Sequence, residues 1–304
     1  MGRGKTPGGS LIADAGLYGP TSEAWRFNRE ALLLLGAGPR ALLLQIAHPL
    51  IAEGVDQHSD FRADPWRRLS ATLRSYLTIV YADGPTARAE IRRLNALHRW
   101  IEGPVRDATA AAAHGPRYRA RDPELALWVH ATLIDSTLAA FDAWIEPLAA
   151  DRRARFYAET RPIGRAFGIP DGLLPADIDA FDGYVAGMLA PGAPVHVSPT
   201  ARDLAVSIIR PRLTGALTGA LPDAPWAAHR AERVPPGVYA WVMWPALALL
   251  PPSVRMEYGF RWGRRDRAVA AWLTAGFRAW RPWIPTGFRW MAPARAADRR
   301  VRQG

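Results

Sequence analysis

The stretch that decides the fold is residues 122–141, DPELALWVHATLIDSTLAAF. Aspartate is a common helix N-cap, and proline is favoured at the first helical position because that position has no N–H bond to lose. Behind this start an apolar stripe recurs at spacings of three and four residues: Leu127, His130, Ile134, Leu138 and Phe141. Side chains at these spacings share one face of an α-helix, so the sequence predicts a long amphipathic helix that begins after Asp122.

The same spacing runs through most of the chain, and strict alternation of apolar and polar residues is scarce. Ser22 is predicted to cap a helix over about 23–35, and Asp64-Pro65 to open another that ends at Gly84-Pro85. Further helices are predicted at about 86–102, 147–159, 176–189, 199–209, 225–231, 238–249, 252–260 and 266–280. The predicted fold class is therefore all-α, with one domain at 20–290 between a flexible N-terminus (1–19) and a basic C-terminal tail (291–304).

The most apolar stretch, residues 31–52, reads ALLLLGAGPRALLLQIAHPLIA. A helix that crosses a bilayer needs about 20 predominantly apolar residues, and here Arg40, Gln45, His48 and several glycines and prolines interrupt the run. We therefore predict two short buried helices hinged at Gly38-Pro39 rather than a membrane span.

The composition excludes several classes of protein. The chain has 304 residues, of which 49% are hydrophobic and none is cysteine. A globular protein without cysteine has no disulfide, no thiolate nucleophile, no Cys-ligated zinc and no iron–sulfur cluster. Seven histidines supply all the imidazole available to a site. The first residues contain no apolar segment typical of a secretion signal, so we expect a cytoplasmic protein.

The net charge of +11 comes almost wholly from arginine, because Lys5 is the only lysine among 39 basic residues. An imbalance of this kind can reflect codon usage, so we do not predict nucleic-acid binding from it. The last thirty residues place Trp280, Trp283 and Trp290 among seven arginines. This pattern suits a packed helix with a solvated tail, a peripheral membrane contact or a nucleic-acid strand, of which we expect the first. A non-enzymatic helical protein that binds lipid or a membrane surface is therefore one alternative to an enzyme.

Four residues are site candidates by position. His98 lies on the otherwise apolar stripe of residues 91–101, and His130 lies on a similar stripe. An imidazole that faces a helical core is either a hydrogen-bonded core residue or a ligand, and two on separate helices are also what a non-covalent haem pocket needs. Arg68 and Thr72 share a helix face, where they can hold an anion or polarise oxygen; a solvated arginine is the alternative.

A second cluster of reactive side chains surrounds His48, Glu53 and His58. Nominally these residues can form the two-histidine, one-carboxylate site of a non-haem metal enzyme. The usual spacings of helical metal sites are missing, however. The alternative is local structure, in which these polar side chains satisfy backbone groups near the turn at Gly54.

Several motifs taken together resemble one known family. They are Gly38-Pro-Arg40, Gln45…His48-Pro49…Ala52-Glu-Gly54-Val55…His58-Ser59, Asp64-Pro65…Arg68…Thr72, His98…Gly103, Asp122-Pro-Glu-Leu…Trp128-Val-His130-Ala-Thr132-Leu and Leu250-Pro-Pro-Ser. Each is weak singly, but their combination over about 20–265 resembles the MpaB/rubber oxygenase catalytic-domain family, and within it an uncharacterised bacterial branch.

The resemblance implies a globin-like helical core that binds haem b and oxidises a hydrophobic small molecule with dioxygen or peroxide. By motif position, His98 resembles the iron ligand, and His130 is the alternative. Arg68 and Thr72 resemble the Arg-x-x-x-Thr pair on the opposite side of the haem. The candidates to bind the second nitrogen of His98 are Asn95 and Glu102.

One departure from the family pattern limits what the resemblance implies. Rubber oxygenases carry a lysine immediately before this threonine, whereas here the residue is Ala71. The only lysine of the chain, Lys5, lies far away in sequence. We therefore do not expect cleavage of polyisoprene.

Overall fold

Two long helices, α2 (Ala31–Ala47) and α7 (Pro123–Trp144), pack along each other at the centre of the structure, and most other helices pack around them. The structure is a computed structural model that describes residues 15–59, 65–209 and 244–303. Within these ranges the chain is predominantly helical and forms one domain, which confirms the all-α prediction. The globin-like arrangement of the core stays a prediction.

The remaining elements follow in chain order. The helices are α1 (Glu23–Asn28), α3 (Pro49–His58), α4 (Pro65–Tyr81), α5 (Gly84–His98), α6 (Ala108–His114), α8 (Ala150–Ala166), α9 (Ile178–Met188), α10 (Pro199–Ile209), α11 (Pro252–Glu257), α12 (Arg264–Trp280), α13 (Thr286–Arg289) and α14 (Ala292–Gln303). Residues 244–249 are also helical, and Arg281–Trp283 form a 3₁₀ turn. Two short strands that the sequence did not predict, β1 (Glu102–Pro104) and β2 (Arg117–Arg119), pair antiparallel with Gly103 opposite Tyr118.

Helix α7 confirms the prediction made from residues 122–141. The Asp122 side chain accepts the Glu124 backbone N–H at 2.9 Å, as an N-cap should. The four apolar members of the predicted stripe are buried: Leu127, Ile134, Leu138 and Phe141. They contribute to the core because one face of α7 packs against α2 and α8.

The predicted hinge at Gly38-Pro39 is wrong. Helix α2 runs through Pro39 without a break, and the chain instead bends by 103° at His48-Pro49. Pro49 disfavours the helical conformation of the residue before it, and His48 is accordingly extended. Pro39 carries the same intrinsic restriction, but α2 packs on α7 along its length, and that packing offsets one missing backbone hydrogen bond.

Close packing between α2 and α7 depends on a glycine. A Cβ built on Gly36 would lie 2.2 Å from ring atoms of Trp144, which is far inside van der Waals contact. Trp144 is fully buried there. The glycine therefore lets the indole reach the backbone of α2.

The predicted helix over 23–35 is divided in two. Ser22 caps α1 as expected, since its Oγ accepts the Trp25 N–H at 3.1 Å. However, α1 ends at Asn28, and the extended residue Glu30 precedes α2. Glu30 is buried and takes an ion pair from Arg281 at 2.9 Å. The break between α1 and α2 therefore coincides with an ion pair to a residue distant in sequence, which no local pattern could reveal.

Several other predictions end differently. Residues 292–303, expected as part of a basic tail, form α14, which packs on α4 with Ala294 and Ala297 buried. The helix predicted at 225–231 and the start of that at 238–249 lie outside the described residues. Among the described helices none is long and apolar enough by itself to cross a membrane; α2 and α3 meet that test only together, across their bend.

Candidate active site

Helices α4 and α5 form the hairpin that carries most of the predicted site residues. Only two residues separate α4 from α5, so the helices run in opposite directions, and they pack together. Arg93 of α5 fastens them, because its guanidinium donates both to Glu90, at 2.6 Å, and to Ser75 of α4, at 3.1 Å. In such a hairpin the start of α4, with Arg68, lies beside the end of α5, with His98.

The electrostatics of His98 reflect this arrangement. Burial, and then the positive charge of Arg68, lower the pKa of the His98 imidazole. Since the ordinary histidine pKa is about 6.5, His98 is neutral at pH 7. A neutral imidazole is the form that binds a metal.

Arg68 and Thr72 lie on the accessible side of the same hairpin. Both side chains are exposed, and the Thr72 Oγ1 donates to the Arg68 backbone carbonyl at 3.0 Å. One turn further along, Tyr76 points inward and donates from its hydroxyl to Asn28 at 2.8 Å. The face that the sequence predicted therefore runs from the exposed pair to the core of the domain.

Neither candidate partner for the second nitrogen of His98 takes that role. The Asn95 amide donates to the Ala166 carbonyl at the end of α8, at 2.8 Å. The Glu102 carboxylate faces Arg119 at 3.4 Å across the β1–β2 pair. Both predictions are wrong because Asn95 joins α5 to α8 and because Glu102 belongs to a strand, which turns its side chain away. Within the described residues the His98 ring makes no hydrogen bond.

His130 occupies a different environment. Its Nε2 is buried and has no hydrogen-bond partner among the described residues. Burial lowers its pKa to about 4. A Cβ built on Gly164 of α8 would lie 3.1 Å from this Nε2, so the nitrogen faces the backbone of a packed helix. That contact fills the space in front of this nitrogen and is typical of a histidine packed in the core; the role of His130 as a ligand stays a prediction.

The surroundings of His98 suit a large apolar group better. Leu97 and Trp100, which flank it in the chain, are 46% and 78% exposed. A neutral imidazole without a hydrogen bond among the described residues, with Arg68 and Thr72 accessible on the neighbouring helix, is a set of residues that fits a b-type haem. The structure thus places the charge of Arg68 where it acts on His98, whereas His130 faces Gly164 of α8.

The alternative metal site at His48, Glu53 and His58 is wrong for the structure described. No group of three histidine or acidic residues in the described ranges is arranged to hold a metal ion. The Glu53 carboxylate pairs with Arg106 at 2.7 Å, and the His58 Nε2 hydrogen-bonds to the Glu102 carbonyl at 2.9 Å. His48 Nδ1 accepts the Leu50 N–H and caps α3. These side chains have local structural roles.

A group of histidines around His48 escaped sequence reasoning. The His114 ring, at the end of α6, lies 5.3 Å from the His48 ring. Burial and the charges of His114 and His196 lower the pKa of His48 to about 3. The three residues come from separate elements, so no spacing in the sequence could have indicated that they meet.

Comparison with known proteins gives one broad match. The catalytic domain described as "ER-bound oxygenase mpaB/B'/Rubber oxygenase" matches residues 25–284. This range runs from within α1 to beyond the end of α12 and therefore contains the whole α4–α5 hairpin. No solved structure matches the chain.

Two curated proteins are similar to part of the chain. The chain is similar to uncharacterized protein Rv2237 of Mycobacterium tuberculosis and to uncharacterized protein Mb2261 of Mycobacterium bovis, with 27% identity over 149 residues in each case. The match covers 47% of this chain and 55% of each relative, so the chain spans about half the length of the curated relatives it matches.

Proposed function

The chain belongs to the MpaB/rubber oxygenase catalytic-domain family, and on that premise we propose that it is a haem-dependent oxygenase that oxidises a hydrophobic small molecule. The observation that carries the proposal is the neutral, half-buried His98 beside the charged Arg68 at one end of the α4–α5 hairpin. Its cytoplasmic location stays a prediction.

His98 is the residue that would hold the haem iron. Because its pKa is lowered, the imidazole is neutral at neutral pH, and one of its two ring nitrogens carries no proton. That nitrogen can bind iron without first losing a proton. A haem bound there would supply the one-electron and oxygen chemistry that amino-acid side chains lack.

Arg68 and Thr72 are proposed to act on the oxidant, which is dioxygen or peroxide. Negative charge develops on oxygen when either is reduced, and a guanidinium that stays protonated stabilises that charge without a proton transfer. The Thr72 hydroxyl donates to the Arg68 carbonyl, so its oxygen can accept a hydrogen bond, or the hydroxyl can rotate to donate one. Neither residue needs a neighbouring lysine, which Ala71 replaces.

The substrate class follows from the apolar side chains near His98. Leu97 and Trp100, which neighbour the candidate ligand in the sequence, expose large apolar surfaces at this end of the hairpin. Such surfaces bind apolar or aromatic molecules through the hydrophobic effect and carry no hydrogen-bonding groups to select a polar substrate, apart from the indole N–H. A hydrophobic small molecule therefore suits this site best.

Absorption spectroscopy tests the assignment. We expect the full chain, produced with haem supplied, to show a Soret band that His98→Gly abolishes and that added imidazole restores to this variant. His130→Gln, whose side chain is a similar size, is expected to keep the band, and circular dichroism would verify that both variants fold. An unchanged band in His98→Gly would remove His98 as the ligand, and a full chain that takes up no haem would refute the proposal.

A further inference from the structure

Four large apolar side chains stand exposed within nine residues near the C-terminus. The C-terminal aromatic surface consists of Trp280, Trp283, Ile284 and Phe288, which are 72%, 81%, 43% and 82% exposed. Single exposed apolar residues are normal on soluble proteins, but a group of this size marks a surface that contacts something.

Buried contacts fix this segment from the inside. Arg281 pairs with the buried carboxylate of Glu30 at 2.9 Å, and Arg289 approaches the same carboxylate at 3.9 Å. Directly after them, Trp290 forms an isolated β-bridge with Glu30 and stacks under the Arg29 guanidinium at 4.0 Å. Arg281 and Arg289 thus face the body of the domain, and Trp283, Ile284 and Phe288 between them are held toward solvent, while Trp280 directly precedes Arg281.

The part of the chain that contains this surface is strongly basic. Residues 251–303 contain twelve arginines and three acidic residues, a net charge of +9 out of +11 for the whole chain. Arg264, Arg265 and Arg267 of α12 and Arg299 and Arg302 of α14 are exposed. The region that exposes the aromatic side chains therefore also carries most of the positive charge.

We propose that this region docks the protein onto the surface of an anionic lipid bilayer. Tryptophan prefers the headgroup boundary, where its ring is buried and its N–H stays hydrated, and arginine binds lipid phosphates. Partial insertion of the four apolar side chains satisfies the first preference, and the Arg295 guanidinium, 3.5 Å from a Cβ built on Gly287 of α13, and the net positive charge of residues 251–303 satisfy the second. A nucleic-acid strand would use the arginines and stack on the aromatic rings, but it would leave the aliphatic Ile284 without a purpose.

Vesicle binding by the full chain tests the proposal. We expect the protein to sediment with vesicles of phosphatidylcholine and phosphatidylglycerol, and much less with phosphatidylcholine alone. Replacing Trp280, Trp283 and Phe288 together by serine should weaken binding by at least about tenfold, since that much apolar surface no longer leaves water. Val206→Ser, at a 60% exposed apolar position of α10 outside both candidate sites, is the control and should bind like the unmodified protein.

Two further measurements keep the test decisive. Brominated lipids should quench tryptophan fluorescence of the unmodified protein more than that of the triple variant, which identifies the inserted side chains directly. Thermal melting should show equal stability for both, because the replaced side chains are exposed. Equal binding of the triple variant and the unmodified protein would overturn the proposal, as would binding to single-stranded RNA without binding to vesicles.

Discussion

Lowering the pH from 7 to 5 will weaken folding, most strongly through the two histidines with the largest fall in pKa, His48 and His130; the lowered pKa values of His98 and His114 act in the same direction. Burial lowers the pKa to about 3 for His48 and to about 4 for His130, whereas an unfolded histidine has a pKa of about 6.5. Below that pH these two histidines become protonated in the unfolded chain but stay neutral in the folded chain. Stability is therefore complete above about pH 6.5 and falls as the pH drops toward the folded-state pKa values.

The size of the effect follows from the gap between pH 5 and the unfolded pKa. At about 1.4 kcal/mol per pH unit, each histidine lowers the free energy of unfolding by about 2 kcal/mol at pH 5, so the two together lower it by about 4 kcal/mol. This is a large part of the 5–15 kcal/mol that is roughly typical of a folded protein. Carboxylates with lowered pKa values, such as Glu23 and Glu90, lose their contribution only at lower pH.

Urea unfolding at pH 7, 6 and 5, followed by circular dichroism and tryptophan fluorescence, measures this loss. His130→Leu removes one of the two groups, so its loss between pH 7 and 5 should be smaller by about 2 kcal/mol. His58→Leu, at an exposed position, is the control and should follow the unmodified protein. The reasoning fails if the unmodified protein is equally stable at pH 7 and 5. It also fails if His130→Leu and the unmodified protein lose the same free energy of unfolding between these pH values.

Two further predictions concern the packing of α2 on α7. Gly36→Ala should destabilise the fold by about 1–3 kcal/mol, since its Cβ would lie 2.2 Å from the Trp144 ring. Its control is Gly276→Ala in α12, whose Cβ meets nothing within 4 Å and which should stabilise the fold by about 0.5–1 kcal/mol. Thermal melts that shift the melting temperatures of both variants in the same direction would contradict this. Arg40→Ala should cost about 3 kcal/mol in urea unfolding, because the buried guanidinium pairs with Asp135 at 2.6 Å. A loss below about 1 kcal/mol would show that this pair is dispensable.

Much of the candidate site could be predicted from local spacing. Arg68 and Thr72 share a helix face because they are four residues apart, and that holds in any tertiary arrangement. His98 and His130, by contrast, have the same local pattern and could not be ranked by it. Their difference comes from neighbours distant in sequence, since His130 faces Gly164 and the environment of His98 includes Arg68.

The predicted role of Asn95 failed for the same reason. Asn95 does lie on the same helix face as His98, but its amide donates to the Ala166 carbonyl of α8 and not to the His98 ring. Nothing within α5 indicates where α8 ends. Side-chain hydrogen bonds of this kind depend on how helices dock, which short-range patterns do not record.

The sequence by itself determined the helical class of this protein, the start of α7 at Asp122 and the absence of all cysteine chemistry. These follow from caps, apolar spacing and composition, which act over a few residues or none. Only the tertiary structure decided that α2 continues through Pro39, that Glu30 pairs with Arg281, and that the charge of Arg68 acts on His98. In each case the deciding contact joins residues from separate elements, and its energy exists only once those elements have packed.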